Sequence, residues 1–149
     1  MILRPAGLLV EEGRLLCMRY RYGGEDRFNL PGGKPERGEE LHGCLVREMA
    51  EELTLGVVPG DLVAVAETVA SGREVLHLVF QVVREGGQPP RLNPQETSAL
   101  EVLWLTPEEI LQRTLYPNIG SFLAGWLHRG QPVSPHPVYL GRAIQPWIE

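Results

Sequence analysis

The sequence predicts an α/β fold in which a mixed β-sheet carries helices on both faces. Two observations point there. Strand-like and helical runs follow one another as strands, helix, strands, helix. A chain of 149 residues with 43% hydrophobic content and no long polar tract suffices for one complete core and not for two. A single domain over residues 1–149 is expected.

Residues 2–10 and 14–20 read as a hairpin across Glu11-Glu12-Gly13, with Leu8, Val10, Leu15, Leu16 and Met18 available for a core. A polar loop over 21–27 leads to Phe28-Asn29-Leu30 and the turn Pro31-Gly32-Gly33. A helix is predicted from about 39 to 53, because Leu41, Leu45, Met49 and Leu53 recur every four residues and form one apolar side. Residues 62–68 and 74–84 are two further antiparallel strands turning at Ala70-Ser71-Gly72, and 85–93 form an exposed loop. A short strand covers 100–105. Thr106-Pro107-Glu108-Glu109 then starts a helix, with Thr at the N-cap, Pro at N1 and Glu at N3. A last helix runs over about 117–128 and stops at Gly130, and the tail over 131–149, with four of the chain's 13 prolines, is expected to pack as irregular strand and coil.

Composition excludes several classes of function. A net charge of −5 argues against sequence-independent binding to duplex nucleic acid through a basic face. No run reaches the ~18 consecutive apolar residues of a membrane span. No cleavable leader is recognisable after Met1, so a cytoplasmic location is expected. Cys17 and Cys44 lack metal-ligand spacing and read as buried, reduced thiols. His42, His77, His128 and His136 form no ligand spacing either, so no zinc site is expected.

The chemistry concentrates between Gly33 and Leu55. Glu48, Glu51 and Glu52 fall at i, i+3 and i+4 of the predicted helix. At about 100° per residue, Glu52 lies roughly 40° to one side of Glu48 and Glu51 roughly 60° to the other, so the three acids share one arc. Like charges so placed disfavour a helix by a few tenths of a kcal/mol, and a divalent cation over them reverses the sign. Oxygen-only ligands select Mg²⁺, Mn²⁺ or Ca²⁺, and an open ridge completed by substrate phosphates suits Mg²⁺ best. The competing reading is an ordinary solvated face in which Arg47 and Glu51 form an i,i+4 pair. The company the ridge keeps favours a ligand site: the helix has a buried side, and the loop Pro31-Gly32-Gly33-Lys34-Pro35-Glu36-Arg37-Gly38 is longer and richer in glycine than a connection requires.

Gly33, Glu39, Arg47, Glu48, Met49, Glu51, Glu52 and Leu55 fill, in order, eight of the nine specified positions of a known box, and over these 23 of 149 residues the chain resembles the Nudix hydrolases of MutT-like type. Thr54 departs from the pattern, standing where the family usually has the glycine that ends the helix; Gly56 is expected to take over that role.

The resemblance implies a Nudix-type α/β/α sandwich and hydrolysis of a diphosphate bond in a nucleoside diphosphate linked to another moiety. It implies Mg²⁺ or Mn²⁺ held by Glu48, Glu51 and Glu52 with a backbone carbonyl of the Gly32-Gly33 turn, Glu39 in support, and Arg47 orienting a neighbouring glutamate. Lys34 would touch a phosphate. The general base is open among Glu48, Glu96 and Glu101. A homodimer is reasonable for such a protein.

Substrate choice is less constrained. Relatives that prefer ADP-ribose tend to carry a proline downstream of the box, and those that prefer dinucleoside polyphosphates a tyrosine; Val69-Ala70-Ser71-Gly72-Arg73 has neither, which favours a nucleoside triphosphate or a small nucleotide derivative. Tyr22 and Phe28, together with Tyr20, Tyr139 and Trp147, are the aromatic residues on which a base could stack. Two other functions stay in view: a nucleotide sensor that does not turn its ligand over, and an isoprenyl diphosphate isomerase, which would need a cysteine facing an apolar pocket.

Overall fold

The computed structural model describes residues 1–133 and 135–146. Strand β1 (Ile2–Glu11) runs through the middle of the sheet. It pairs in parallel with β5 (Arg73–Arg84) from Ile2 opposite Val75 to Leu9 opposite Val82. On its other side it meets β2 (Arg14–Tyr22) only at the hairpin end, at Val10–Leu15 and Glu11–Arg14. Beyond that point β1 and β2 part. Strand β3 (Glu25–Asn29) lies beside β2 from Met18 to Tyr22, and the glycine turn enters the wedge left next to β1, where Gly7 N–H donates to Pro31 O at 2.8 Å and Gly33 N–H to Pro5 O at 3.3 Å.

The remaining elements complete two faces. Helix α1 spans Leu41–Leu53, and β4 (Val57–Ala70) pairs antiparallel with β5. Strand β6 (Glu101–Leu105) joins the free edge of β2, α2 covers Pro107–Leu111, β7 (Leu115–Tyr116) runs parallel to β3, α3 covers Gly120–His128, and β8 (Val138–Arg142) closes the far edge against β4. Alternation along β1 and β2 sends Ala6, Leu8, Leu15 and Cys17 into a core beneath α2 and α3, and Leu9, Leu16 and Met18 into a second core beneath α1. A sheet buried on both faces is what makes the layers helix, sheet, helix. Among the described residues no helix is long and apolar enough to cross a membrane.

Several boundaries differ from the sequence reading. Residues 21–27 are not a loop: β2 continues to Tyr22 and turns through Gly23 and Gly24, both at positive φ, into β3. The charged residues there hid the pairing because this end of the hairpin stands in solvent. Strand β4 starts at Val57 rather than 62; the breakers Pro59, Gly60 and Asp61 sit where its register with β5 shifts. Helix α3 begins at Gly120, three residues later than expected, because the preceding segment forms β7 and a cis Tyr116–Pro117 peptide. Helix α2 has the expected capping box, with Glu109 N–H donating to Thr106 Oγ1 at 3.2 Å and Thr106 N–H to Glu109 Oε1 at 3.0 Å.

The end of α1 corrects the expectation for Gly56. Thr54 itself adopts the left-handed conformation at φ 55°, its N–H donating to Ala50 O and the Leu55 N–H to Met49 O, while Gly56 is not at positive φ. A threonine in that region is strained. Its hydroxyl donates to Arg91 O at 3.1 Å, an anchor that a glycine could not provide.

One buried histidine gives the fold a pH signature. His77 Nε2 and Thr68 Oγ1 lie 2.8 Å apart in the interior, and burial pushes the imidazole down to about 3 from its ordinary 6.5. The unfolded chain then takes up a proton that the native chain refuses, so this contribution is fully present above pH 6.5 and is lost as pH falls toward the native value. At about pH 4.5 the expected loss is on the order of 2 kcal/mol relative to neutral pH, and His77→Gln should flatten it. Urea midpoints of both proteins across this range check the prediction; equal acid sensitivity would remove His77 as the cause.

Candidate active site

The acid ridge is organised by one guanidinium. Arg47 grips Glu39 bidentately, Nε to Oε2 at 2.7 Å and Nη2 to Oε1 at 2.9 Å, while its Nη1 donates to Glu48 Oε1 at 2.9 Å and Glu51 Oε2 at 3.2 Å. Glu39 lies just outside α1, contrary to the expected start at 39, and accepts the Glu36 N–H at 3.0 Å; Arg47 and this backbone bond hold its carboxyl down to about 2. Arg47 also reaches Lys34 O at 3.3 Å, so the glycine-rich loop and the helix are fastened through the same side chain.

The two glycines are required for different reasons. A Cβ on Gly32 would lie 2.3 Å from Pro5 O, so no side chain fits where the turn bonds β1. A Cβ on Gly33 would lie 2.3 Å from Glu48 Cδ, in the space that carboxylate occupies. Gly33 O accepts the Cys44 thiol at 3.5 Å. Burial pushes Cys44 up to about 12, so it stays protonated, and its position against the turn and Arg47 does not supply the pocket-facing cysteine that an isoprenyl diphosphate isomerase needs.

Glu52 occupies a different environment. Tyr20 Oη donates to Glu52 Oε2 at 3.5 Å and lies 3.0 Å from Thr97 Oγ1. Burial first, and then the adjoining Glu48, raise the Glu52 carboxyl well above the usual range. Two adjoining carboxyls resisting joint ionisation form a hard-oxygen donor set that suits Mg²⁺ or Mn²⁺. Among the described residues no three His, Cys, Asp or Glu side chains stand ready to hold an ion together. Arg47 bonds to two of the ridge acids and takes up part of their charge.

The other expected site residues scatter. Lys34 is exposed beside the ridge and contributes its carbonyl to Arg47. Glu96 is exposed in a loop docked on the end of α1 by the Asn93 N–H to Glu52 O bond of 3.0 Å, one residue from Thr97. Glu101 is ion-paired with Arg19 at 3.0 Å on β6. Tyr22 stacks on Tyr20, ring centroids 6.0 Å apart, and lines a cavity of about 520 Å³ with Arg27, Asn29, Thr68, Arg73 and Tyr116 among its walls. Phe28 is corrected. It is 8% exposed, on the opposite face of β3, packed in the α2–α3 core beneath Arg113, and does not line this cavity. Tyr139 is bonded to Glu67 on the far edge, and Trp147 lies outside the described residues. Sequence reasoning passed over Arg4, Asn29 and Thr97. Alternation on β2 places Tyr20 and Tyr22 on one face and could have flagged that wall, whereas Thr97 arrives from 77 residues away.

A mixed sheet between helices, with an acid-rich helix set against a diglycine turn, is the architecture of the Nudix pyrophosphohydrolases. The NUDIX domain model matches residues 3–126, and this chain belongs to that family of hydrolases. A CTP pyrophosphohydrolase of Escherichia coli strain K12 is 35% identical over 116 residues, covering 75% of this chain and 81% of its own length. The solution structure of the E. coli ORF135 protein superposes with a TM-score of 0.72 at 26% identity, covering 90% of this chain and 95% of its own. The MutT protein from Methanosarcina mazei Go1 gives 0.71 at 24% identity, covering 89% and 96%. Nudix hydrolases act on small nucleotide substrates and generally use divalent metals such as Mg²⁺.

Proposed function

We propose that this chain, as a single domain over 1–149, hydrolyses a nucleoside triphosphate to the monophosphate and pyrophosphate, with CTP, the substrate in the name of its E. coli relative, as the first compound to test. The observation that carries the reading is the adjacency of Glu48 and Glu52 beside the Gly32-Gly33 turn, with Tyr20 and Thr97 fixing one acid and Arg47 the other. Glu48, Glu51 and Glu52 would hold Mg²⁺ or Mn²⁺, which when bound neutralises phosphoryl oxygens and acidifies water. Glu39 keeps Arg47 in place from outside the ridge.

Water oxygen attacks phosphorus, the bridging P–O bond breaks, and the leaving oxygen departs with pyrophosphate. Glu48 accepts the water proton in this scheme: Arg47 holds its Oε1 and orients the carboxylate beside Glu52. Glu96, next to Thr97, is the second candidate for the base; Glu101 is committed to Arg19 and is set aside. A release assay over CTP, UTP, ATP, GTP, ADP-ribose and dinucleoside polyphosphates, with Mg²⁺ and with Mn²⁺, tests the proposal. Monophosphate and pyrophosphate in equal amounts from at least one triphosphate are expected. No turnover of any triphosphate would overturn it.

A further inference from the structure

We infer that Thr54, which stands where the family's box has glycine, is a positioning residue: its hydroxyl pins the loop over 91–97 to the end of α1 and so steadies Thr97 against Tyr20 and Glu52. It rests on the hydrolase reading above and assigns that site a further supporting residue. Thr54 is held at φ 55°, a conformation that glycine adopts freely and a β-branched residue does not. What the threonine adds is a donor. Its Oγ1 donates to Arg91 O at 3.1 Å, while the Arg91 N–H donates to Leu53 O at 2.8 Å. Both polar atoms of the Arg91 backbone are therefore tied to adjacent residues of the helix end, which fixes how that stretch of loop is turned.

From that anchor the loop reaches the acids in a few tightly bonded residues. Asn93 N–H donates to Glu52 O at 3.0 Å; Asn93 O accepts the Glu96 and Thr97 N–H groups at 2.9 and 3.0 Å, and its Oδ1 accepts the Gln95 N–H at 3.1 Å. So closely bonded a turn moves as one piece. Leu92 and Ala99 seat its two ends on the core beneath α1. Beyond the turn, Thr97 Oγ1 lies 3.0 Å from Tyr20 Oη, which donates to Glu52 Oε2, and the Thr97 hydroxyl also bonds the Glu52 carboxyl. One loop thus grips Glu52 twice, at its backbone carbonyl and at its side chain. Thr54, just past Glu52 on the same helix end, sets the angle at which that loop leaves. Because a group in the site displaced by about 1 Å can lose much of its effect, a hydroxyl outside the site bears on turnover.

Hydrogen exchange and kinetics on substituted proteins test this. In the metal-free protein Thr54→Ala should speed amide exchange at Arg91, Asn93 and Thr97 by about fivefold, the factor one ordinary hydrogen bond supplies, and Thr54→Ser should stay within about twofold of the wild type. Thr54→Gly should lose at least as much protection while its urea midpoint holds or rises, because relief of the left-handed strain offsets the lost bond. On the triphosphate turned over fastest, Thr54→Ala should lower kcat about fivefold with KM within about twofold, and Thr54→Ser should keep the wild-type kcat. A protein carrying both Thr54→Ala and Thr97→Val should be no slower than Thr97→Val alone. Wild-type exchange in Thr54→Ala, fast exchange in Thr54→Ser, or kinetic losses that multiply in the double variant overturn the inference. Faster loop exchange in Thr54→Ala with no triphosphate hydrolysis by the wild type would sink the hydrolase proposal and leave the anchor standing; wild-type exchange and turnover in Thr54→Ala would do the reverse.

Discussion

Glu52→Gln is expected to lower kcat by at least about two orders of magnitude while leaving the metal-free protein equally stable or more stable. The loss follows from removing one carboxylate from the proposed cation site. The stability change follows from linkage. Burial and Glu48 raise the Glu52 pKa, so the native chain holds that proton more tightly than the unfolded chain, and the group's contribution falls as pH rises from the ordinary carboxylate range. Glutamine keeps the shape without the charge. At about pH 8 the variant should gain on the order of 1 kcal/mol, a value already discounted for partial exposure, and at about pH 5 the gain should shrink. Steady-state release assays and urea titrations measure both. Near-normal turnover in Glu52→Gln and in Glu48→Gln would remove the ridge from the mechanism.

The second large effect separates two adjacent glycines. Gly32→Ala places a methyl 2.3 Å from the Pro5 carbonyl, a backbone atom that cannot swing aside, at the point where the turn is hydrogen-bonded into the wedge beside β1. A destabilisation of about 3 kcal/mol or more is expected. Gly33→Ala meets the end of Glu48 instead, and that side chain can rotate away. Stability should then fall by about 1 kcal/mol while activity drops toward that of Glu48→Gln, because the displaced carboxylate leaves its neighbours. Thermal or urea unfolding alongside kcat discriminates the two. Equal stability losses would show that the turn is not held as described.

Much of this was legible before any coordinates. The four-residue apolar spacing from Leu41 to Leu53 placed α1, and the helical offsets of Glu48, Glu51 and Glu52 placed the acids on one arc, because both depend only on local periodicity. The capping chemistry of Thr106 to Glu109 was equally local. Contacts closed over long separations were not legible. Thr97 reaches Tyr20, Glu11 takes the Arg84 guanidinium across 73 residues, and the 21–27 segment pairs as β3 because of where β2 already lies. The burial of Phe28 was not legible for a related reason: period-two alternation says that Phe28 and Asn29 point oppositely, yet not which of them meets the core. Thr54 shows a local rule overridden by tertiary structure, since the Arg91 carbonyl that receives its hydroxyl comes from a loop 37 residues on.

The single guanidinium of Arg47 has a wider implication. It clasps oxygens from Glu39, Glu48 and Glu51 and ties in the Lys34 carbonyl, so an internal counter-charge is already built into the folded chain. Folding is therefore expected not to depend on the supply of free ions. A chelator should silence such a protein without denaturing it, and restored ions should find the scaffold standing.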